Sequence, residues 1–364
     1  MANEALATAL DDAGLSRADI DGLVSQIGSP RGLDYDELAR LLALKLGYAS
    51  QTWDHGRFCA TVIEQGAMAI MASLADVVAC LAVFRNSAFT RHGTEGFPGF
   101  EENFREGGGP HAETPHAGLL APIGGAALST RRYMHRYGLE RDAFAPVAVA
   151  LREHAALNPL AAKRQRFTRD DYLLAPFICE PLRRLDCSVP VDTAVAVILT
   201  RADRAVKLRQ PPVYLESFQG LSGGPNEFVF GQPGLGIHQR DVFDYEPRGA
   251  KEPVFVKAGV TPEDVDTLHT YDGFSPQIFW TLERFGFAPQ GKAAAWVRDG
   301  RIGPDGGLPV NTSGGHLSEG HSNGWGQTIE IVRQLRGTAG ERQVANCRRA
   351  LWATTFGDAI LYAN

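Results

Sequence analysis

Two short segments of the chain gather side chains able to move protons. In NTSGGHLSEGHSNGWG, residues 311–326, two histidines stand in a glycine-rich loop just ahead of an apolar-periodic stretch, Gln327–Leu335, that reads as a helix. The spacing puts His321 at or near a helix N-terminus, where backbone N–H groups favour negative charge. An imidazole held there can donate to a developing oxyanion or shuttle a proton. An ordinary loop histidine is the competing reading for His321, and still more so for His316. In HTYDGFSP, Tyr271 and Asp272 follow an apolar run that reads as a buried strand, and strand ends are where α/β folds place ligands. A phenol there serves as general acid, or as base when neighbours depress its pKa. A strand-end tyrosine with its hydroxyl in water is the alternative, and Asp272 reads as a turn residue bonded to its own backbone.

The elements that must position these residues read as α/β. The first 27 residues suggest a helix and then a strand, and DELARLLALKL, residues 36–46, a second helix. Small residues from Thr61 to Ser73 suggest a third, tightly packed helix, and ADVVACLAVF, residues 75–84, a buried strand. From about residue 86 to 181 the chain turns rich in Gly, Pro and His and then helical, with helices expected at Thr130–Tyr137 and Arg141–Ala156, as an insertion carried on the scaffold would. Strands resume at Thr193–Thr200 and at residues 212–220, Thr261 caps a helix start, and the last strands lie in ALWATTFGDAILYA, residues 350–363. No short repeat is visible, although each end of the chain has a helix feeding a buried strand.

Composition narrows the function classes. The 364 residues carry 36 Lys+Arg against 42 Asp+Glu, a net charge of −6 that gives no electrostatic reason to expect nucleic acid or an anionic membrane. No apolar run reaches the ~18 residues of a bilayer span, and the N-terminus lacks the basic region of a signal peptide. Five cysteines without a CxxC pair read as reduced thiols and not as a metal site, so a cytoplasmic location is expected and no metal.

Larger blocks carry a family resemblance. GLPVNTSGGHLSEGH, followed by IEIVRQLRG, resembles the C-terminal signature of the thiolase superfamily in its sterol-carrier-protein-like branch. YDGFSP resembles that branch's strand-end motif, EPLRRLDCSVPVDTAVAVILT the end of its N-terminal half, and RRYMHRYG with LNPLAAKRQRFTRDDYLLAP its loop domain. The resemblance implies a thiolase fold, five-layered α-β-α-β-α from two similar halves, with the boundary near residues 209/210 and a loop-domain insertion at about 86–181. It also implies a homodimer acting on coenzyme A thioesters, with no permanently bound cofactor. Arg131, Arg132 and Arg164, in a basic group with Arg136, Lys163 and Arg166, fall where thiolases hold the cofactor's phosphates; solvated helix faces are the other reading. The family's first strand has no counterpart ahead of the first helix.

The departures from the family pattern bear on the reaction. A thiolase places a nucleophilic cysteine at the start of the small-residue helix; here that position falls at about Gly56 or Arg57, and Cys59 comes two or three residues later. The family's second cysteine is replaced in ATTFGDAILY, where Gly357 marks the loop. Loss of both thiols removes acyl transfer through an enzyme thioester but leaves enolate chemistry open. The pattern resembles the cysteine-lacking steroid side-chain-cleaving aldolases, which implies non-covalent retro-aldol cleavage of a β-hydroxyacyl-CoA and an OB-fold partner carrying a DUF35 domain. Tyr271 would handle the hydroxyl proton and His321 would donate to the thioester oxygen, or the reverse; Tyr271 within hydrogen-bond reach of His321 is the arrangement this reading expects. Those aldolases carry a tyrosine in place of His321. An acyltransferase using Cys59 and a non-catalytic acyl-CoA- or lipid-binding subunit are the alternatives.

Overall fold

The computed structural model describes residues 1–27, 33–53, 58–85, 122–222 and 247–364. In chain order the elements are α1 (Ala2–Ala13), β1 (Gly22–Ile27), α2 (Tyr35–Leu41), β2 (Tyr48–Trp53), α3 (Phe58–Met71), β3 (Val77–Arg85), α4 (Pro122–Tyr137), α5 (Ala145–Ala156), α6 (Arg169–Leu174), β4 (Phe177–Cys179), β5 (Leu182–Arg183), β6 (Asp192–Thr200), β7 (Tyr214–Gln219), α7 (Pro253–Ala258), β8 (Thr267–Thr270), α8 (Pro276–Arg284), α9 (Trp325–Leu335), β9 (Arg349–Ala353) and β10 (Ala359–Ala363).

Two four-stranded sheets, ordered β2-β1-β3-β6 and β7-β10-β9-β8, form the frame. β1 runs parallel to β2 and β3, and β8 parallel to β9, whereas β6 and β10 are antiparallel to their neighbours. Leucines of α1 and α2 cover the outer face of the first sheet. α3 and α9 lie between the sheets, where Cys59, Ala60, Ile63, Trp325 and Ile331 share one cluster with strands of both. α7, α8 and the inserted helices α4 and α5 cover the outer face of the second sheet. The layers therefore run α-β-α-β-α, as the resemblance implies. The small residues of α3 permit its close approach: a Cβ on Gly66 would stand 2.9 Å from the Cys80 sulfur on β3.

A repeat escapes inspection of the sequence because only its conformation makes it plain. AGLSRADIDGL (residues 13–23) and AGVTPEDVDTL (residues 258–268) fold alike. Each begins with a glycine in the left-handed region closing a helix, Gly14 at φ 72° and Gly259 at φ 69°. Each continues through a capping box, Ser16–Asp19 or Thr261–Asp264, into a parallel strand, β1 or β8. Asp21 then accepts from the amides of Asp76 and Val77 ahead of β3. Asp266 accepts from Arg348 and Arg349 at the start of β9.

Several expected boundaries move. The second helix is shorter than expected, ending at Leu41, and the segment after it forms β2, whose polar sequence (YASQTW) gave no strand signal. The Thr130–Tyr137 helix begins earlier, at Pro122, and the Arg141–Ala156 helix starts at Ala145. Among the described residues no helix is long and apolar enough to cross a membrane, and no group of His, Cys, Asp and Glu side chains is arranged to hold a metal ion.

Candidate active site

Tyr271 follows β8 directly. Asn311 fixes that strand end as a neighbouring strand would, accepting from the Thr270 amide at 2.8 Å and donating to the Thr270 carbonyl at 3.0 Å. Between Asn311 and Gly324 the chain takes positive φ at Asn311, Gly314, Gly315, Gly320, Asn323 and Gly324, which accounts for the Gly and Asn content of this loop. At Gly315 the requirement is also spatial: a Cβ would stand 2.3 Å from an Asp272 carboxylate oxygen.

Asp272 organises the loop. It is fully buried and accepts from the backbone amides of His316 (2.9 Å) and Leu317 (3.3 Å) and from the Gln327 amide group (2.9 Å). It is thus a clamp between β8, the helical turn Gly315–Ser318 and α9, in addition to the bond to its own backbone that the sequence suggests. Burial pushes its carboxyl up to about 8, against the pull of these donors. His316 is also fully buried. Its Nε2 accepts from the Gly324 amide at 3.0 Å, which puts the ring proton on Nδ1, 3.2 Å from Asp272 Oδ1. Burial first, and the neighbouring His321 second, hold His316 well below the ordinary histidine range, so it is neutral at pH 7.

The two leading residues meet. The Tyr271 hydroxyl lies 3.1 Å from His321 Nε2. His316 packs behind both, its ring centroid 5.0 Å from that of Tyr271 and 4.7 Å from that of His321. Tyr271 and His321 are half-buried, open to a ligand in a way that Asp272 and His316 are not. His321 stands near a helix N-terminus but not at it, between the turn Gly315–Ser318 and α9, which starts four residues later. What holds it is the segment after β5: the His321 amide donates to the Val189 carbonyl at 2.7 Å, and the Val189 amide to the His316 carbonyl at 2.9 Å. The amide of Ser188 reaches the Gly273 carbonyl. This strut ties the CSVPVD block, at the end of the N-terminal half, to the C-terminal glycine loop.

The remaining candidates lie elsewhere. Cys59 is 1% exposed, its sulfur 3.2 Å from the Thr328 hydroxyl within the middle-layer cluster, and burial pushes its thiol far above the ordinary range. A thiol so held packs as a core residue. Gly56 and Arg57, where a thiolase nucleophile would fall, lie outside the described residues. Gly357 closes the turn between β9 and β10 at φ 96°, and its carbonyl accepts from the Gln219 side chain at 2.6 Å. Arg131 on α4 is exposed and 3.4 Å from Glu180; Arg132 is half-buried on the same helix. Arg164, also exposed, donates to the Ala156 carbonyl. Gln327 and Asn311 were missed in the sequence; polar residues on a helix expected to present an apolar face (Gln327, Glu330, Gln334) were the available signal.

The comparisons with known proteins show the family. A family model described as the thiolase C-terminal domain-like domain matches residues 237–360. The 17-hydroxy-3-oxo-4-pregnene-20-carboxyl-CoA lyase of Mycobacterium tuberculosis is 36% identical, over 93% of this chain and 86% of that protein. The steroid side-chain-cleaving aldolase of Thermomonospora curvata is 32% identical, over 93% and 85%. This chain belongs to the thiolase superfamily. Within the superfamily it groups with the side-chain-cleaving aldolases and the sterol-carrier-protein-like thiolases. Among solved structures, the Ltp2-ChsH2(DUF35) aldolase superposes with a TM-score of 0.83 at 28% identity, covering all of this chain and 91% of that one. Human mitochondrial 3-ketoacyl-CoA thiolase superposes at 0.65 and 17% identity, covering all of this chain and 92% of that one, a likeness of fold.

Proposed function

We propose that this thiolase-superfamily chain is a carbon–carbon lyase that cleaves a β-hydroxyacyl-CoA by a non-covalent retro-aldol reaction. The observation that carries the reading is the 3.1 Å contact between the Tyr271 hydroxyl and His321 Nε2, in a chain whose Cys59 is sealed in the core. The β-hydroxyl proton passes to the Tyr271 oxygen as the phenol proton moves to Nε2. The Cα–Cβ bond breaks, its electron pair forming the thioester enolate while the β-carbon becomes a ketone. The proton held on His321 returns to Cα, releasing a shortened acyl-CoA. The contact favours the imidazole as a proton carrier over a donor to the thioester oxygen. His316 and Asp272 stay outside the exchange and fix the geometry.

The names of the two relatives support a steroid side chain as the acyl group, and that of the superposed aldolase supports a DUF35 protein as partner; an OB-fold in that partner and a homodimeric lyase are what the family resemblance implies. Arg131, Arg132 and Arg164 would face the cofactor's phosphates.

The test incubates the chain, with and without a co-expressed DUF35 protein, with a steroid β-hydroxyacyl-CoA carrying a tertiary hydroxyl. Stoichiometric ketone and shortened acyl-CoA, seen by mass spectrometry with no acyl adduct on the protein, is the expected result. An acyl group trapped on Cys59 would overturn it.

A further inference from the structure

Gly273 stands two residues after Tyr271, and its backbone does not call for glycine. Its φ lies outside the left-handed region that Gly314, Gly315, Gly320 and Gly324 occupy. What the position lacks is room for a side chain. A Cβ there would stand 3.0 Å from Tyr271 Cε1, 3.2 Å from the Tyr271 hydroxyl oxygen and 3.2 Å from Gln277 Oε1. Carbon atoms in comfortable contact keep about 3.5–4.0 Å. The main chain at Gly273 therefore packs directly on the edge of the phenol, beside the hydroxyl that meets His321. This stretch of chain is held on both sides. The Gly273 carbonyl accepts from the Ser188 amide at 3.1 Å, and Phe274 pairs with Cys187 of the same strut. The Phe274 amide donates to Gln277 Oε1 at 2.9 Å, and Gln277 is buried, so the second neighbour is fixed as well. Of the groups that a Cβ would meet, the half-buried phenol is the one that gives way.

We infer that Gly273 is a positioning residue: by presenting bare main chain to the Tyr271 ring, it keeps the phenol hydroxyl against His321 Nε2. The inference rests on the proposed lyase roles of Tyr271 and His321. The strut that holds Gly273 also holds His321, through the Val189 carbonyl, so one segment sets both partners of the contact. A methyl group at position 273 pushes the hydroxyl away from His321 while leaving the rest of the site in place. Misplacing a reacting group by about 1 Å can cost on the order of 100-fold in rate. The loss therefore falls on kcat and not on KM.

The test uses Gly273→Ala in the full chain. Its kcat should fall about 10–100-fold, with KM within about threefold of the unaltered value. With nitrogen-15-labelled histidine, the His321 Nε2 resonance should move in the direction set by Tyr271→Phe, because both variants loosen the same contact. Tyr271→Leu supplies a second background, since it leaves no atom at the ring edge or the hydroxyl. Gly273→Ala should lower Tm in the unaltered chain and leave it unchanged beside Tyr271→Leu. A Gly273→Ala chain that folds only beside Tyr271→Leu supports the inference; one that folds in neither background overturns it. An unaltered kcat, a lost kcat with an unmoved His321 resonance, or an equal Tm loss in both backgrounds also overturns it. Failure of the unaltered chain to turn over any β-hydroxyacyl-CoA would sink the lyase reading alone. The resonance and the paired Tm values would then still decide whether Gly273 holds the phenol in place.

Discussion

The two halves of the fold share a backbone plan and differ in what they do with it. Asp21 ties β1 to β3 as Asp266 ties β8 to β9, and each half sends a helix, α3 or α9, into the middle layer. Ahead of α9 the chain spends six positive-φ residues to bring His321 against Tyr271. On α3 the corresponding thiol is drawn into the core. On the proposed reading the same scaffold supports chemistry at one helix and packing at the other. The half that carries the candidate site buries polar residues around it, Asp272, His316 and Gln327 among them.

The largest expected effect breaks the reactive half directly. Tyr271→Phe keeps the ring and its packing but removes the hydroxyl that meets His321, and His321→Ala removes the acceptor. Each should lower kcat by about 10²–10⁴-fold, the usual worth of a positioned acid or base. Measured kcat near the unaltered value in either variant would end the proton-relay reading. Circular dichroism should show both variants folded.

A smaller effect is expected one layer back. His316→Leu leaves the Gly324 amide without its acceptor in a fully buried place, which costs about 1–3 kcal/mol of stability. It should also lower kcat about 10-fold, since the ring packs against both reacting side chains. A Tm drop with no change in kcat would make His316 a structural residue only.

What the sequence discloses follows the same division. The apolar runs of β3, β6, β7 and β10 and the glycine loop were legible because burial and left-handed backbone leave local signatures. Tyr271 and His321 stood out by residue type beside such features. The Asp272 clamp was not legible, because its partners at 316, 317 and 327 are 44 to 55 residues away. Nor was the orientation of α9. Periodicity put Ile329, Val332 and Leu335 inward, but the fold buries Thr328, Ile331 and Leu335 together with Gln327, Glu330 and Gln334, which hold Asp272, Thr312 and Arg342. Polar satisfaction decided the rotation of this helix, and that is set in three dimensions.

Each middle-layer helix also buries a glutamate, with opposite consequences. Burial works to raise Glu330 on α9, but its bonds to Arg342 prevail and hold it below the usual range. Glu64 on α3 is pushed up to about 8 by burial and then by the Asp358 carboxyl, and its Oε1 has no hydrogen-bond partner among the described residues. Between about pH 4.5 and 8 the folded chain therefore keeps a proton on Glu64 that the unfolded chain has lost. Stability should fall as pH rises through that window. Asp272, also pushed up to about 8, adds to the same slope. Thermal melts from pH 5 to 9 should show Tm falling, with Glu64→Gln flattening the decline. An unchanged slope in that variant would remove Glu64 from the account.

The smallest effect is the one that separates the halves most cleanly. Cys59→Ala deletes a buried sulfur and its contact with Thr328, so a loss of about 1–2 kcal/mol is expected from the small cavity. Activity should stay within about twofold of the unaltered chain, because the sulfur is enclosed and its thiol is held protonated by burial. An acyltransferase working through this residue would instead lose all turnover while melting at nearly the same temperature. The two measurements move in opposite directions under the two mechanisms. A modest Tm decrease with full lyase activity is thus a positive sign that sulfur takes no part in the reaction.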